Sequence, residues 1–190
     1  MTANKGIVSC PDPGQQTCLD PEGAGGYRRA MRTLITGGVK SGKSSRALQL
    51  AADFTGPRHF LATATAFDEE MRDRIARHRA ERANAFVTIE ETVDIDLALR
   101  DSMIVDCIPM WLNNLFFLER DEEWEAILER FVAAMPPELV IVTNETGMGV
   151  IPSDPLSRRY GIALGLANAR LARAVDRVEL MVAGLPLRVK

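Results

Sequence analysis

From Arg32 onward, short apolar runs alternate with longer stretches in which apolar residues recur at helical spacing. Short apolar runs are typical of buried strands, and the longer periodic stretches are typical of helices. The pattern predicts strands at 33–36, 59–63, 86–90, 103–106, 139–143, 177–182 and 187–189. It predicts helices at 44–54, 68–82, 94–100, 110–118, 122–135 and 155–175. This alternation predicts an α/β fold with a mostly parallel sheet and helices on both faces.

Residues 1–30 have a different composition, rich in Gly, Pro, Gln and Asp and without periodicity. Such a segment buries too little apolar surface to offset the entropy cost of ordering. We therefore expect a flexible leader at 1–30, followed by a single domain at 31–190.

Net charge and hydropathy narrow the class of partner. The formal charge is −3 and the pI is about 5.5, so no global field attracts nucleic acid or anionic lipid. No apolar run approaches the roughly 20 residues of a membrane span. The first residues lack an apolar signal region, so we expect no membrane span and a cytoplasmic location. An odd number of cysteines (Cys10, Cys18 and Cys107) favours free thiols there.

The most specific motif follows the first predicted strand and matches G-x-x-x-x-G-K-[ST] in full. Its residues are Gly37, Gly38, Val39, Lys40, Ser41, Gly42, Lys43 and Ser44. Glycines let the backbone turn so that successive amides face phosphate oxygens, and the next helix adds positive potential. In such loops the lysine contacts the β- and γ-phosphates, and the serine hydroxyl is a ligand of Mg²⁺. The motif predicts a phosphate loop that binds GTP or ATP with Mg²⁺ through Lys43 and Ser44.

Two carboxylates end other predicted strands. Asp106 closes the fourth strand, where P-loop enzymes place a metal-organising aspartate, although solvated carboxylates are common there too. Glu90 ends the third strand, at the edge where open α/β sheets bind ligands. A carboxylate there can accept hydrogen bonds from the N1–H and N2–H₂ groups of guanine, and the adjacent Glu91 is an alternative.

One of the two histidines lies on the predicted helix 68–82. His78 continues the apolar stripe of that helix among several arginines. Such a histidine is often a core residue with a satisfied partner. A neutral imidazole can also attack an α-phosphorus and carry the nucleotide, while arginines stabilise the phosphate charge. The loop 144–152 follows another strand and is either a site loop or a simple turn.

Taken together, these segments resemble the bifunctional adenosylcobinamide kinase/adenosylcobinamide-phosphate guanylyltransferase family of cobalamin biosynthesis. The resemblance covers 34–190 and is carried by 36–44, 62–64, 68–71, 74–79, 105–107, 111–112, 114–115, 143–149 and 182–187. It implies a P-loop NTPase-like (RecA-like) fold and two reactions. The first phosphorylates the aminopropanol hydroxyl of adenosylcobinamide. The second transfers GMP from GTP to that phosphate.

The resemblance also implies roles for particular residues. His78 is the GMP-accepting nucleophile, Lys43 acts on the phosphates, and Glu90 and Asp106 contact the nucleotide. Whether Asp106 serves the nucleotide or Mg²⁺ stays open. Further residues lining the nucleotide site are Thr63, Ala64, Thr65, Arg79, Ala80, Glu81 and Arg82. Family members assemble as oligomers, so self-association is implied. Two other hypotheses remain: a P-loop kinase of another small molecule, and a non-enzymatic nucleotide-binding module.

Overall fold

The computed structural model describes residues 30–65, 69, 72–73 and 85–190. Within them, seven strands form one sheet in the order β3-β2-β4-β5-β1-β6-β7. The strands are β1 Arg32–Gly37, β2 His59–Ala62, β3 Val87–Glu90, β4 Met103–Asp106, β5 Leu139–Val142, β6 Arg177–Val182 and β7 Leu185–Arg188. All neighbouring pairs are parallel except β6 and β7. The predicted α/β fold with a mostly parallel sheet is confirmed.

Four α-helices accompany these strands in the described ranges. They are α1 Lys43–Ala51, α2 Ile108–Phe117, α3 Trp124–Ala133 and α4 Pro155–Ala174, with a short 3₁₀ turn at Asp121–Glu123 before α3. The start of α4 is set locally, because the Asp154 carboxylate accepts from the amides of Leu156 and Ser157 and Pro155 occupies the first turn. Among the described residues, no helix is both long and apolar enough to cross a membrane.

Two of the predicted helices are absent from the helices of the described residues. The segment 94–100 is not helical, so that prediction was wrong: 95–98 form a turn in which the Leu97 amide donates to the Asp94 carbonyl. The preceding turn explains why, since the Glu91 carboxylate accepts from the amides of Val93 and Asp94 and fixes the chain direction there. The predicted helix 68–82 lies almost wholly outside the described residues, as does nearly all of the predicted leader 1–30.

Each face of the sheet has its own apolar core, as alternation along β1 illustrates. Leu34 packs in the larger cluster with buried residues of α2, α3 and α4, and Ile35 packs in the smaller cluster with Ala47 and Ala51 of α1. Helices therefore cover both faces, as predicted. The carboxyl-terminal edge of the parallel strands is where the phosphate motif and the strand-end carboxylates meet.

Candidate nucleotide-binding site

The phosphate motif forms a tight loop between β1 and α1. Gly37 has φ 146°, and a Cβ built there would lie 2.6 Å from the carbonyl oxygen of Met181. Gly42, which caps α1, has φ 95° in the left-handed region. Only glycine fits both positions without strain. The strand–loop–helix context expected of a phosphate loop is present, and the free amides of the first turn of α1 provide positive potential beside it.

Lys43 lies directly over this loop. Its Nζ donates to the carbonyl oxygens of Gly37 (3.1 Å) and Gly38 (2.6 Å), and the residue is only 8% exposed. Burial lowers the pKa of Lys43, while the charges of Cys107 and Asp106 partly oppose that shift. Asp106 therefore acts electrostatically on the lysine although two strand spacings separate β4 from β1. The loop region combines a buried cation with a nearby strand-end carboxylate.

The turn between β6 and β7 supports the phosphate loop from the side. Ala183 and Gly184 form a two-residue hairpin turn, and both have positive φ, 49° and 86°. The amide of Gly184 donates to the carbonyl of Ser41 at 3.2 Å, and the Gly184 Cα lies 3.4 Å from where a Cβ on Gly42 would stand. Sequence reasoning missed this role. The Ala-Gly pair between two strands signals a turn, but nothing local predicts what the turn touches.

A buried ion pair fixes α1 to the sheet. Glu179 on β6 is fully buried and accepts two hydrogen bonds from Arg46 on α1, at 2.8 and 2.9 Å, and it also pairs with Arg177. Burial alone would raise the pKa of Glu179, but the hydrogen bond from Arg46 and the charges of both arginines outweigh it and hold the pKa below its usual value. The pair was not identified from the sequence, because its partners are far apart in the chain.

Thr63 joins the ends of β2 and β4. Its side chain is completely buried, and its hydroxyl donates to the Cys107 carbonyl (2.8 Å) and accepts from the Cys107 amide (2.9 Å). The Thr63 carbonyl accepts from Asn114 Nδ2 at 2.7 Å. The hydroxyl predicted to line the nucleotide site is thus engaged with the chain next to Asp106. Ala64 and Thr65 follow and are half-buried.

Two acidic residues, Glu90 and Glu91, lie at the end of β3. Glu91 accepts from the amides of Val93 and Asp94, as described above. Glu90 is exposed at the end of β3, paired in register with Ala62 of β2. Both carboxylates therefore lie at the carboxyl end of β3, and Glu90 remains the predicted guanine contact.

The loop after β5 also reaches the phosphate loop. The Thr143 amide donates to the Ile35 carbonyl, and the Glu145 amide donates to the Gly37 carbonyl at 3.2 Å, so the β5–β1 ladder continues past the end of β5. Two backbone hydrogen bonds therefore hold the start of this segment beside the phosphate loop.

The histidine predicted as nucleophile lies outside the described residues. The same holds for four nucleotide-lining predictions, at Arg79, Ala80, Glu81 and Arg82. The loop residues Val39 and Lys40 are described and exposed. Ser41 Oγ is buried and has no hydrogen-bond partner among the described residues, as expected for a polar atom at a ligand site.

The donor set fits magnesium. Ser44 offers an exposed hydroxyl at the start of α1, and Asp106 offers a half-buried carboxylate. In the described ranges, no group of three or more His, Cys, Asp or Glu side chains is placed to hold a metal. Mg²⁺ is commonly held by one or two protein oxygens together with substrate phosphates and water, so two oxygen donors beside a phosphate loop are sufficient.

The sheet, the loop and Lys43 define a P-loop nucleotide-binding protein of the α/β class. A model of the family "Cobinamide kinase / cobinamide phosphate guanyltransferase" matches residues 33–189. The chain belongs to this family, and the resemblance stated from the sequence is confirmed.

Two relatives agree with this family assignment over nearly their whole length. The bifunctional adenosylcobalamin biosynthesis protein CobP of Pseudomonas aeruginosa is 41% identical, over 84% of this chain and 98% of that protein. The bifunctional adenosylcobalamin biosynthesis protein CobU of Salmonella typhimurium is 36% identical, over 84% of this chain and all of that protein. A solved KaiC-like protein from Pyrococcus horikoshii covers 82% of this chain and 73% of its own, with 18% identity and a TM-score of 0.46.

Proposed function

We propose that this protein phosphorylates the aminopropanol hydroxyl of adenosylcobinamide and then transfers GMP from GTP to the new phosphate. The products of the second reaction are adenosylcobinamide-GDP and pyrophosphate. The observation that carries the proposal is the intact phosphate loop, with Lys43 buried over it, in a chain of the kinase and guanylyltransferase family. A cytoplasmic location, where GTP and ATP are available, is part of the proposal.

In the kinase step, the loop amides and Lys43 hold the triphosphate. Phosphoryl transfer is accelerated mainly by positioning and by neutralising charge on the phosphate oxygens. Lys43 Nζ supplies a cation that the Gly37 and Gly38 carbonyls already fix in place. Ser44 and Asp106 would hold Mg²⁺, which would offset negative charge on the triphosphate. GTP and ATP are both proposed as donors.

In the guanylyl step, His78 is the proposed nucleophile. A ring nitrogen forms a bond to the α-phosphorus of GTP, and the bond from that phosphorus to pyrophosphate breaks. A phosphate oxygen of adenosylcobinamide phosphate then attacks the same phosphorus and releases the imidazole. Residues 79–82 and 63–65 are proposed to line the nucleotide.

Glu90 is the proposed acceptor for the guanine edge. It ends β3, four strand positions from β1, which at about 4.8 Å per strand is roughly 19 Å along the carboxyl edge. Asp106 lies between them, on β4. An edge of this length accommodates phosphates at the loop and a base toward β3, with Asp106 between these two sites.

Self-association is proposed through an apolar surface on the loop before α4 and on α4 itself. Its exposed residues are Met148, Val150, Ile151, Leu156, Ile162 and Leu166. Exposed large apolar side chains can mark an interaction surface, and Val150 is 96% exposed. Sedimentation of the wild type and of Ile162→Glu tests this: the charge should shift the mass toward the monomer, and an unchanged mass would exclude Ile162 from the contact.

Trapping with α-labelled GTP and Mg²⁺ tests the guanylyl step. The wild type should form an acid-labile, alkali-stable adduct, and His78→Ala should not. His59→Ala is the matched control, since His59 lies on β2 with Nδ1 2.8 Å from the Asp101 carbonyl, away from the carboxyl edge. Its adduct should persist. An adduct retained in His78→Ala rejects the histidine assignment.

The same preparation separates the competing hypotheses. A P-loop kinase of another small molecule would transfer a γ-phosphate without forming any protein–nucleotide adduct. A non-enzymatic binding module would bind nucleotide and turn over neither substrate. Assays with adenosylcobinamide and with adenosylcobinamide phosphate therefore decide among the three.

A further inference from the structure

Glu145, on the loop after β5, is joined to the phosphate loop through its backbone amide. The Gly37 carbonyl accepts from the Glu145 amide at 3.2 Å and from Lys43 Nζ at 3.1 Å. The backbone amide of Glu145 and the ammonium of Lys43 therefore donate to the same oxygen atom. No role assigned above uses the Glu145 side chain.

Buried groups fix the base of this loop. The Thr143 hydroxyl donates to Asn168 Oδ1 at 2.7 Å, and Asn168 Nδ2 donates to the Asn144 carbonyl at 2.9 Å. Thr143 and Asn168 are both buried, and the Thr143 amide donates to Ile35 of β1. The backbone immediately before Glu145 is therefore held by hydrogen bonds at the end of β5, the strand adjacent to β1.

The carboxylate itself is oriented by its own loop. Glu145 Oε1 accepts from the Gly147 amide at 3.0 Å, and a Cβ on Gly147 would lie 3.2 Å from that oxygen. Among the described residues, Glu145 forms no salt bridge. The Gly147 amide binds Oε1 of the Glu145 carboxylate. The second oxygen, Oε2, can therefore accept from another donor.

The sheet order separates Glu145 from the other strand-end carboxylates. Glu145 follows β5, next to β1, whereas Asp106 is two strands from β1 and Glu90 is four. Asp106 also acts on Lys43 and is suited to the metal. Of the three, Glu145 follows the strand nearest to the loop that holds the γ-phosphate.

We infer that Glu145 is the general base of the phosphorylation step, an inference that rests on the proposed function. Its carboxylate takes the proton of the acceptor hydroxyl while that oxygen forms a bond to the γ-phosphorus. The bond from the γ-phosphorus to the β–γ bridging oxygen breaks, and the electron pair leaves with the nucleoside diphosphate. The carboxyl then releases its proton to water. The substrate class is a primary or secondary alcohol presented between β5 and the loop.

The test compares the two half-reactions in the full-length protein. Glu145→Gln keeps an oxygen that can accept from the Gly147 amide but cannot take a proton. We expect kcat for adenosylcobinamide phosphorylation to fall about 10²- to 10⁴-fold with little change in KM for the nucleotide. Guanylyl transfer to adenosylcobinamide phosphate should be unchanged.

Glu138→Gln is the matched control. Glu138 precedes the same strand at the opposite, amino-terminal end, where it accepts from Ser102 Oγ at 2.6 Å. It should keep wild-type phosphorylation. If Glu145→Gln fails to fold, Glu145→Asp replaces it and should retain phosphorylation at a lower kcat, with guanylyl transfer unchanged.

Two results would overturn the inference. The first is wild-type phosphorylation in Glu145→Gln, and the second is an equal loss of both half-reactions. A wild-type protein that phosphorylates no adenosylcobinamide would instead reject the proposed function, and the inference with it.

Discussion

A single hydroxyl, that of Thr63, makes two hydrogen bonds to one residue, Cys107. It donates to the Cys107 carbonyl at 2.8 Å and accepts from the Cys107 amide at 2.9 Å. The Thr63 amide also donates to the Asp106 carbonyl at 3.1 Å. The ends of β2 and β4 are therefore joined at the point where Asp106 enters the site.

Thr63→Val should weaken this junction. Valine has nearly the same shape but removes both hydrogen bonds of the Thr63 hydroxyl to Cys107, which costs about 1–3 kcal/mol. We expect a lower free energy of unfolding in urea and weaker nucleotide binding, because Asp106 loses its fixed position. Thr63→Ser keeps the hydroxyl and should recover most of both. Equal damage in the serine and valine variants would show that the methyl group matters instead.

Gly37→Ala should abolish nucleotide binding. Its new Cβ would meet the Met181 carbonyl at 2.6 Å, and its φ of 146° is strained for alanine, so the phosphate loop must move. Gly161→Ala is the control, since Gly161 lies within α4 with no atom within 4 Å of a new Cβ. There alanine should stabilise the fold by about 0.5–1 kcal/mol. Equilibrium binding of GTP and thermal unfolding of both variants check this; tight GTP binding by Gly37→Ala would contradict it.

Glu179 should make stability depend on acid pH. The folded pKa of Glu179 lies below its ordinary value of 4.5, because its arginine partners outweigh the effect of burial. The folded state therefore favours the carboxylate, and this stabilisation is present above about pH 4.5 and is lost as the pH falls through the folded pKa.

Glu179→Gln should remove that dependence and destabilise the fold at neutral pH by about 3–5 kcal/mol, because Arg46 and Arg177 lose a buried counter-charge. Urea unfolding at several pH values measures both effects. Glu125→Gln, which breaks the exposed pair with Arg170, should change the unfolding free energy by less than about 1 kcal/mol. Parallel pH curves for wild type and Glu179→Gln would refute the assignment.

Lys43→Met should separate stability from activity. Phosphorylation should fall at least about 10²-fold, because a preorganised cation at the phosphates is lost. Burial lowers the pKa of Lys43, so the folded state disfavours the ammonium below the ordinary pKa of 10.5. An uncharged side chain of similar length should therefore raise the free energy of unfolding near neutral pH. A variant that is both inactive and less stable would mean that the bonds to Gly37 and Gly38 outweigh the burial cost.

Local pattern was sufficient for much of the fold. The strands were predicted to within a few residues because each is a short apolar run between turn signals, and the phosphate loop because its glycines and lysine are adjacent in the chain. Local pattern fails at the segment 94–100, whose apolar residues have helical spacing. The turn fixed by Glu91 precedes this segment, and Ile95 and Ala98 are buried there without forming a helix.

The sequence by itself determined the class of fold, the phosphate loop with Lys43 and the family, because each depends on residues close together in the chain. Only the tertiary structure decided which distant groups meet: Gly184 with Ser41, Arg46 with Glu179, and Glu145 with Gly37. Those contacts depend on strand order and register, which set neighbours across more than a hundred residues. Hydrophobic periodicity specifies which face of a strand is buried and carries no information about which strand lies beside it.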